Sequence, residues 1–326
     1  MDKSNLVGIV TVTYNSGTVI REFLQSSLAQ SHSQSILYVV DNASSDDTLA
    51  LIADCQDPRL RIIRNPENLG VAEGNNIGIR AALRDGCTSV LLVNNDTVFE
   101  SDVLSTLSVG LGEYDCDMIV PKILYFSPSD RLWCAGGTFS RLRGCSRHFG
   151  FGRKDDGTFD QPRQVPYSPT CCMLIKREVF AQVGLMDSRY FVYFDDTDFC
   201  LRAYRAGLKL IYLPTARVYH KVSSLIGHRS DTFLRYVTRN HVYYVMKHFR
   251  LWMMWYYLSV CQIHIVRRCL QAKRKLRAFF LLQKAFWEGV ALSSQPTSSG
   301  SLSDTGSSPR AVSQGKLGMP REHTLP

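Results

Sequence analysis

Val90-Leu91-Leu92-Val93-Asn94-Asn95-Asp96-Thr97 is an apolar, β-rich run that stops abruptly at a carboxylate. A short apolar run bounded by polar residues fits a buried strand. An acid at the end of such a strand is costly unless it binds a cation or does chemistry. Working back toward the N-terminus, the same pattern recurs. Val7 to Thr13 is a strand-like run ending at Tyr14-Asn15-Ser16-Gly17, and Ile36 to Val40 is a second ending at Asp41-Asn42. Helices are expected over Val19 to Leu28, over Thr48 to Ala53 after the capping candidates Ser44-Ser45-Asp46-Asp47, and over Gly74 to Leu83, with a further strand over Leu60 to Arg64. Short strands alternating with helices predict an α/β fold with a mainly parallel sheet flanked by helices. In open sheets of this kind ligands bind beyond the carboxyl ends of the strands, where the polar residues Tyr14-Asn15, Asp41-Asn42 and Asn94-Asn95-Asp96 fall.

About a hundred residues further on lies Tyr193-Phe194-Asp195-Asp196-Thr197-Asp198-Phe199, carboxylates set between aromatic rings. One acid at a strand end and an acid cluster elsewhere fit a site where a metal holds a phosphate and a second carboxylate moves a proton. Between them, Gly, Arg and aromatic residues from Trp133 to Phe159 suggest the long loops common in substrate-binding regions. Ile211 to Leu213 and Arg217 to His220 read as short strands, and Thr232 to Phe249 as a helix. No internal repeat is visible.

The chain has 326 residues and a formal net charge of +9, with 45% hydrophobic and 21% charged residues, a globular composition with room for a full core. Residues 1–246 carry 26 Lys+Arg and 26 Asp+Glu; residues 247–326 carry 12 and 3, so the whole excess sits in the last quarter. That argues against a basic groove for nucleic acid and for a basic appendage. The 10 cysteines are scattered without a Cys-x-x-Cys, which favours reduced thiols in a cytosolic protein over a disulfide framework. The N-terminus leads straight into a strand-like run, without the pattern of a secretory signal.

Six pieces, taken together and in order, resemble the family-2 inverting glycosyltransferases of the GT-A (Rossmann-like) fold, and within them the rhamnosyltransferase-like branch. They are Ile9-Val10-Thr11-Val12-Thr13-Tyr14-Asn15, Val39-Val40-Asp41-Asn42-Ala43-Ser44-Ser45-Asp46, Asn65-Pro66-Glu67-Asn68-Leu69-Gly70, Gly74-Asn75-Asn76-Ile77-Gly78, Leu92-Val93-Asn94-Asn95-Asp96 and Phe194-Asp195-Asp196-Thr197-Asp198. The resemblance covers roughly residues 5–228 and implies a nucleotide-sugar donor, Mg²⁺ or Mn²⁺, and inversion at the anomeric carbon. It implies that Asp41 accepts hydrogen bonds from the donor's base or ribose, flanked by Tyr14 and Asn15; an acid holding its own turn before Ser44 is the alternative. Asn68, Gly70 and Asn75 are expected to line the donor pocket, with turn glycines the alternative for Gly70. Asn94-Asn95-Asp96 stands where the family carries its metal motif, with Asn94 at the usual first aspartate, so Asp96 is the expected metal ligand and His220 a candidate second one, a structural histidine being equally open. By the family's pattern Asp196 is the base and Asp195 contacts the acceptor. Asp198 is expected to cap the helix that follows.

The expected organisation is a catalytic domain over 1–228, a helical, aromatic and basic extension over 229–291 and a disordered tail over 292–326. Leu251 to Val266 is short of the ~20 residues that span a bilayer. Its Trp and Tyr residues and the six basic residues from Arg267 to Arg277 favour an in-plane helix on an anionic membrane, with packing against the domain or a second copy of the chain the alternative. The reading is therefore a cytoplasmic enzyme on the inner face of the cell membrane. It would move a sugar, dTDP-rhamnose or a UDP-sugar serving as donor, to a hydroxyl of a lipid-linked or growing surface polysaccharide. The competing reading is a non-catalytic nucleotide-sugar or glycan-binding protein that kept the fold; Asn94 admits it, and Asp96 and Asp196 speak against it.

Overall fold

The computed structural model describes residues 5–140, 142–222, 230–272 and 274–295. The first half alternates as expected: β1 (Val7–Thr13), α1 (Ile20–Leu28), β2 (Ser35–Asp41), α2 (Thr48–Ala53), β3 (Leu60–Arg64), α3 (Gly70–Arg84) and β4 (Ser89–Val93). β3, β2, β1 and β4 lie side by side in that order, all parallel. The register sets Thr13 beside Asp41, so the polar strand ends gather along one edge. Alternation along β4 gives the sheet two buried faces, Val90 and Leu92 joining one apolar cluster and Leu91 and Val93 the other. α3 lies close on the sheet because Gly78 has no side chain; a Cβ there would stand 2.3 Å from Val10 Cγ1.

The second half comprises β5 (Thr97–Phe99), α4 (Val103–Glu113), β6 (Met118–Tyr125), β7 (Leu132–Cys134), β8 (Gly137–Ser140), β9 (Cys145–His148), β10 (Arg163–Gln164), β11 (Cys172–Lys176), α5 (Arg177–Val183), α6 (Asp195–Arg205) and β12 (Leu210–His220). Here the sheet becomes mixed. β11 inserts antiparallel between β4 and β6, and β12 runs parallel to β6 on its far side. β11 arrives after a long excursion through loops and the β8–β9 hairpin, not through a single crossover helix, so nothing forces it parallel. The two short strands expected at 211–213 and 217–220 are one strand, β12, whose pairing shifts register between Leu213 and Arg217 around Pro214, a residue with no N–H to donate.

The C-terminal extension folds as α7 (Asp231–His248), α8 (Leu251–Gln271) and α9 (Lys275–Ser293), packed around Val242, Cys261, Ile265, Leu282 and Phe286. Among the described residues no helix is long and apolar enough to cross a membrane. The 10 cysteines are all unpaired. The boundary expected at 228 and nearly all of the tail expected over 292–326 lie outside the described residues.

Candidate active site

The donor-side residues sit at the carboxyl ends of β1, β2 and β4, tied together by short polar contacts. Asp41, only 1% exposed, accepts from Thr13 Oγ1 at 2.9 Å, from Ser44 Oγ at 2.5 Å and from the Ser44 N–H at 3.0 Å. The turn-holding role weighed for Asp41 is therefore present, and the carboxylate keeps further acceptor capacity. Asn15, in the left-handed region at φ 51°, donates its N–H to Ser44 Oγ and accepts from the Ser45 N–H, while Tyr14 beside it is exposed. Asn95 Nδ2 reaches the Val12 carbonyl at 2.8 Å and Ser16 Oγ at 2.9 Å, locking the end of β4 to the end of β1. Asn68 Oδ1 accepts from the Gly70 N–H, and Gly70 at φ +81° opens α3 with Phe191 O packed where its Cβ would be. Asn75 is buried beside Met186.

Asp96 lies in the turn between β4 and β5. Because β5 pairs antiparallel with the end of β12, Thr97 faces His220, and His220 Nε2 donates to Asp96 Oδ1 at 3.0 Å. Both are nearly buried, and His220 Nδ1 has no hydrogen-bond partner among the described residues. Two ligand atoms in adjacent octahedral positions at about 2.1 Å from a divalent ion stand about 3 Å apart, so the spacing also fits a cation that takes the place of the Nε2 proton, with Nδ1 then carrying the ring hydrogen. Among the described residues no cluster of three or more His, Cys, Asp or Glu forms a complete cage. A metal held here would take its remaining ligands from substrate phosphate and water, the usual arrangement for Mg²⁺. Asn94 has its N–H bonded to the Cys171 carbonyl and its own carbonyl taken by Thr97 Oγ1.

An aromatic wall joins this pair to the second acid cluster. The Trp133 ring meets His220 edge-on at 4.5 Å and His148 at 4.9 Å; His148 Nε2 lies 3.4 Å from the Tyr167 hydroxyl, which donates to Asp196 Oδ2 at 2.9 Å. Asp196 Oδ1 accepts from the Thr197 N–H and hydroxyl. Burial lowers the His148 pKa, against the pull of the Asp196 charge and with the aid of His220, so the ring is neutral near pH 7. Burial pushes the Cys171 thiol up, and the charges of Asp96 and Asp196 add to the shift. An open cavity of about 620 Å³ shares the His148 wall and continues past Phe151 and Arg153.

Burial, and then the Asp196 charge, push Asp195 up to about 8; burial raises Asp196 as well, opposed by the Tyr167 hydrogen bond. Asp198 goes the other way. Its helix begins at Asp195, so Asp198 lies inside the first turn and does not cap it. It is 0% exposed and accepts from Arg202 Nε at 2.8 Å, Lys247 Nζ at 2.6 Å and His248 Nε2 at 2.7 Å. Against the burial that would raise it, these groups hold it far below the ordinary carboxylate range.

The fold thus brings Asp96, His220 and Asp196 to one wall, with Asp195 buried next to Asp196 in the chain, and sets Tyr14, Asn15, Asp41, Asn94 and Asn95 on the adjoining strand ends. Asn68, Gly70 and Asn75 lie at the start of α3, engaged with protein groups. Sequence reasoning flagged the loop region 133–159 but singled out neither Trp133 nor His148, and it passed over Tyr167. Trp133 and His148 sit on short strands, β7 and β9, that carry no long apolar run, and only the clustering of aromatics over 133–159 pointed toward them.

The sequence profile described as Glycosyl transferase family 2 matches residues 8–184. The uncharacterized protein y4gI of Sinorhizobium fredii is 30% identical over 77% of this chain and 28% of its own length. The low-salt glycan biosynthesis hexosyltransferase Agl10 of Haloferax volcanii is 28% identical over 53% of this chain and 54% of its own. The chain therefore spans about a quarter and about half of these two relatives. The N-acetylglucosaminyl-diphospho-decaprenol L-rhamnosyltransferase of Mycobacterium tuberculosis is 24% identical over 71% of this chain and 84% of its own. In fold, the chain is similar to the mannosyltransferase PcManGT of Pyrobaculum calidifontis, solved with GDP-Man and Mn²⁺, with a TM-score of 0.52 at 16% identity over 91% of this chain and 79% of that one.

Proposed function

The chain belongs to glycosyl transferase family 2, and from that premise we propose that it moves a sugar from a nucleoside diphosphate to a hydroxyl of a lipid-linked or growing polysaccharide, with inversion. The observation that carries the reading is the convergence of Asp96–His220 and Tyr167–Asp196 on the two sides of Trp133 and His148. Asp196 is the base: the acceptor oxygen attacks the anomeric carbon, its proton passes to the Asp196 carboxylate, and the bond to the diphosphate breaks with its electron pair. One displacement inverts the centre. A carboxylate raised by burial and oriented by Tyr167 suits proton abstraction near neutral pH. Asp41, Tyr14 and Asn15 hold the nucleotide, Asp195 lines the acceptor side, and Asp96 with His220 would hold Mg²⁺ or Mn²⁺. When bound, that ion neutralises charge on the departing diphosphate. The likeness to a rhamnosyltransferase named for a diphospho-decaprenol acceptor favours rhamnose as the transferred sugar and a lipid diphosphate as carrier of the acceptor sugar.

Asp196→Asn is expected to lower kcat about 10²- to 10⁴-fold while donor binding by calorimetry in Mn²⁺ is retained. Lost donor binding would remove Asp196 from the base role.

We place the protein on the cytoplasmic face of a membrane. Trp252, Tyr256, Ile263, Val266 and Leu270 form one exposed apolar stripe along α8, and Leu276, Phe280 and Trp287 form another along α9, with Arg267, Arg274, Lys275 and Arg277 exposed between them. Co-sedimentation with anionic but not neutral vesicles is the expected result, and absence from both pellets would overturn this placement.

A further inference from the structure

Residues 190–194 carry the chain into α6 through a backbone that their side chains disfavour. Phe191, Tyr193 and Phe194 have φ of 66°, 67° and 69°, a region that costs a non-glycine residue about 1 kcal/mol or more each. Such a run persists only where its surroundings hold it. One holder is the start of α3, whose Val71 N–H donates to Phe191 O at 2.6 Å, so the loop carbonyl takes a donor that the helix leaves free. The other is α7. Asn240 Nδ2 donates to Tyr190 O at 2.9 Å, Val192 O at 2.7 Å and Tyr193 O at 2.8 Å. Its Oδ1 accepts from Arg239 Nε at 2.8 Å, which fixes the amide's orientation, and Arg239 Nη2 donates to Arg189 O and Tyr190 O. The carbonyls of 189–193 are all taken by groups outside the loop.

Side chains repeat the pattern. Phe191 stacks on Tyr236 at 5.0 Å, Tyr193 meets Phe233 edge-on at 5.2 Å and Phe194 stacks on His241 at 5.4 Å. Asn240 itself is 0% exposed. An apolar residue would serve packing alone; a buried amide that spends its donors on loop carbonyls specifies one backbone path.

We infer that Asn240, with Arg239, is a positioning residue that holds the 190–194 backbone so that Asp196 enters α6 against Tyr167, making α7 part of the catalytic apparatus. The inference rests on the reading of Asp196 as the base.

The test uses the full chain carrying Asn240→Ala. kcat is expected to fall about 10- to 100-fold, with the donor KM within about twofold, because the base is displaced while the nucleotide side is untouched. Amide exchange at 191–196 is expected to speed about tenfold or more, with α9 unchanged. Arg235→Ala removes the paired hydrogen bonds to Glu288 between α7 and α9 without touching the loop, and should keep kcat within about twofold. If Asn240→Ala does not fold, Arg239→Lys removes the forked contact and is read the same way. Retained kcat in the Asn240 variant, or an equal loss in Arg235→Ala, overturns the inference. Asp196→Asn assayed alongside separates the two readings: retained turnover there ends the base assignment, while loop exchange still decides whether α7 holds the loop.

Discussion

Asp41 and Asp198 are both buried carboxylates, 1% and 0% exposed, yet the molecule holds them by opposite means. Asp41 is held by neutral donors: a threonine on the adjoining strand and the hydroxyl and N–H of Ser44 in its own turn. Asp198 is held by charge, through Arg202 one helical turn on and through Lys247 and His248 near the end of α7, about fifty residues away. Asp187 extends the second network, bonded to Arg189, Lys247 and Tyr243. The nucleotide side is thus self-sufficient turn chemistry at the strand ends. The side that bears the proposed base is tied to α7 through Asp198 and the 190–194 loop.

That contrast fixes the largest expected effect. Removing the charge of Asp198 takes the carboxylate from Arg202 and His248 and leaves Lys247 with Asp187 alone, so Asp198→Asn should destabilise the fold by ~3–5 kcal/mol. Asp41→Asn keeps the threonine contact and loses one charge-assisted bond, for ~1.5–3 kcal/mol. Urea denaturation ranks the two directly. Equal losses would mean that α7 adds nothing beyond what a local turn supplies.

The same contrast explains what the sequence disclosed. β1, α2 and β3 are read at their observed ends, and β2 and β4 to within a residue, because each strand carries its own apolar run and its own polar stop. α3 starts at Gly70 and not at Gly74: Asn68 meets its first free N–H, and the next, of Val71, is met by the carbonyl of Phe191, a partner more than a hundred residues away that no local pattern shows. α4 and β6 escaped the reading, and the antiparallel insertion of β11 could not be foreseen, since its direction depends on where a long excursion of loops returns to the sheet. In the site, Asp41, Asp96 and Asp196 are visible as acids out of place among apolar residues. Trp133, His148 and Tyr167 are not, because lone aromatic residues on short strands and connections are ordinary until packing brings them together. Asp198 read as a helix cap for the same reason: its cationic partners on α7 carry no mark in the sequence that points back to it.

The second prediction concerns pH and the acid cluster alone. Asp195 is raised to about 8 by burial and by the Asp196 charge, against an unfolded value of about 3.9. The sign follows from proton binding. Between those two values the folded chain keeps a proton that the unfolded chain has lost, so the stabilising contribution is complete below about pH 4 and is lost as pH rises through about 8. Asp187 has the opposite sign: burial would raise it, but Arg189 and Lys247 hold it at about 2, so its contribution is complete above about pH 4 and is lost only in acid. Asp195→Asn should therefore stabilise the protein relative to the parent by a margin that grows with pH across that window, at no more than about 1.4 kcal/mol per unit, and that closes toward pH 4. Thermal melts of parent and variant at pH 5, 7 and 9 read it. Parallel curves across that range would mean that Asp195 ionises freely, and that the acid cluster is as well solvated as a surface loop.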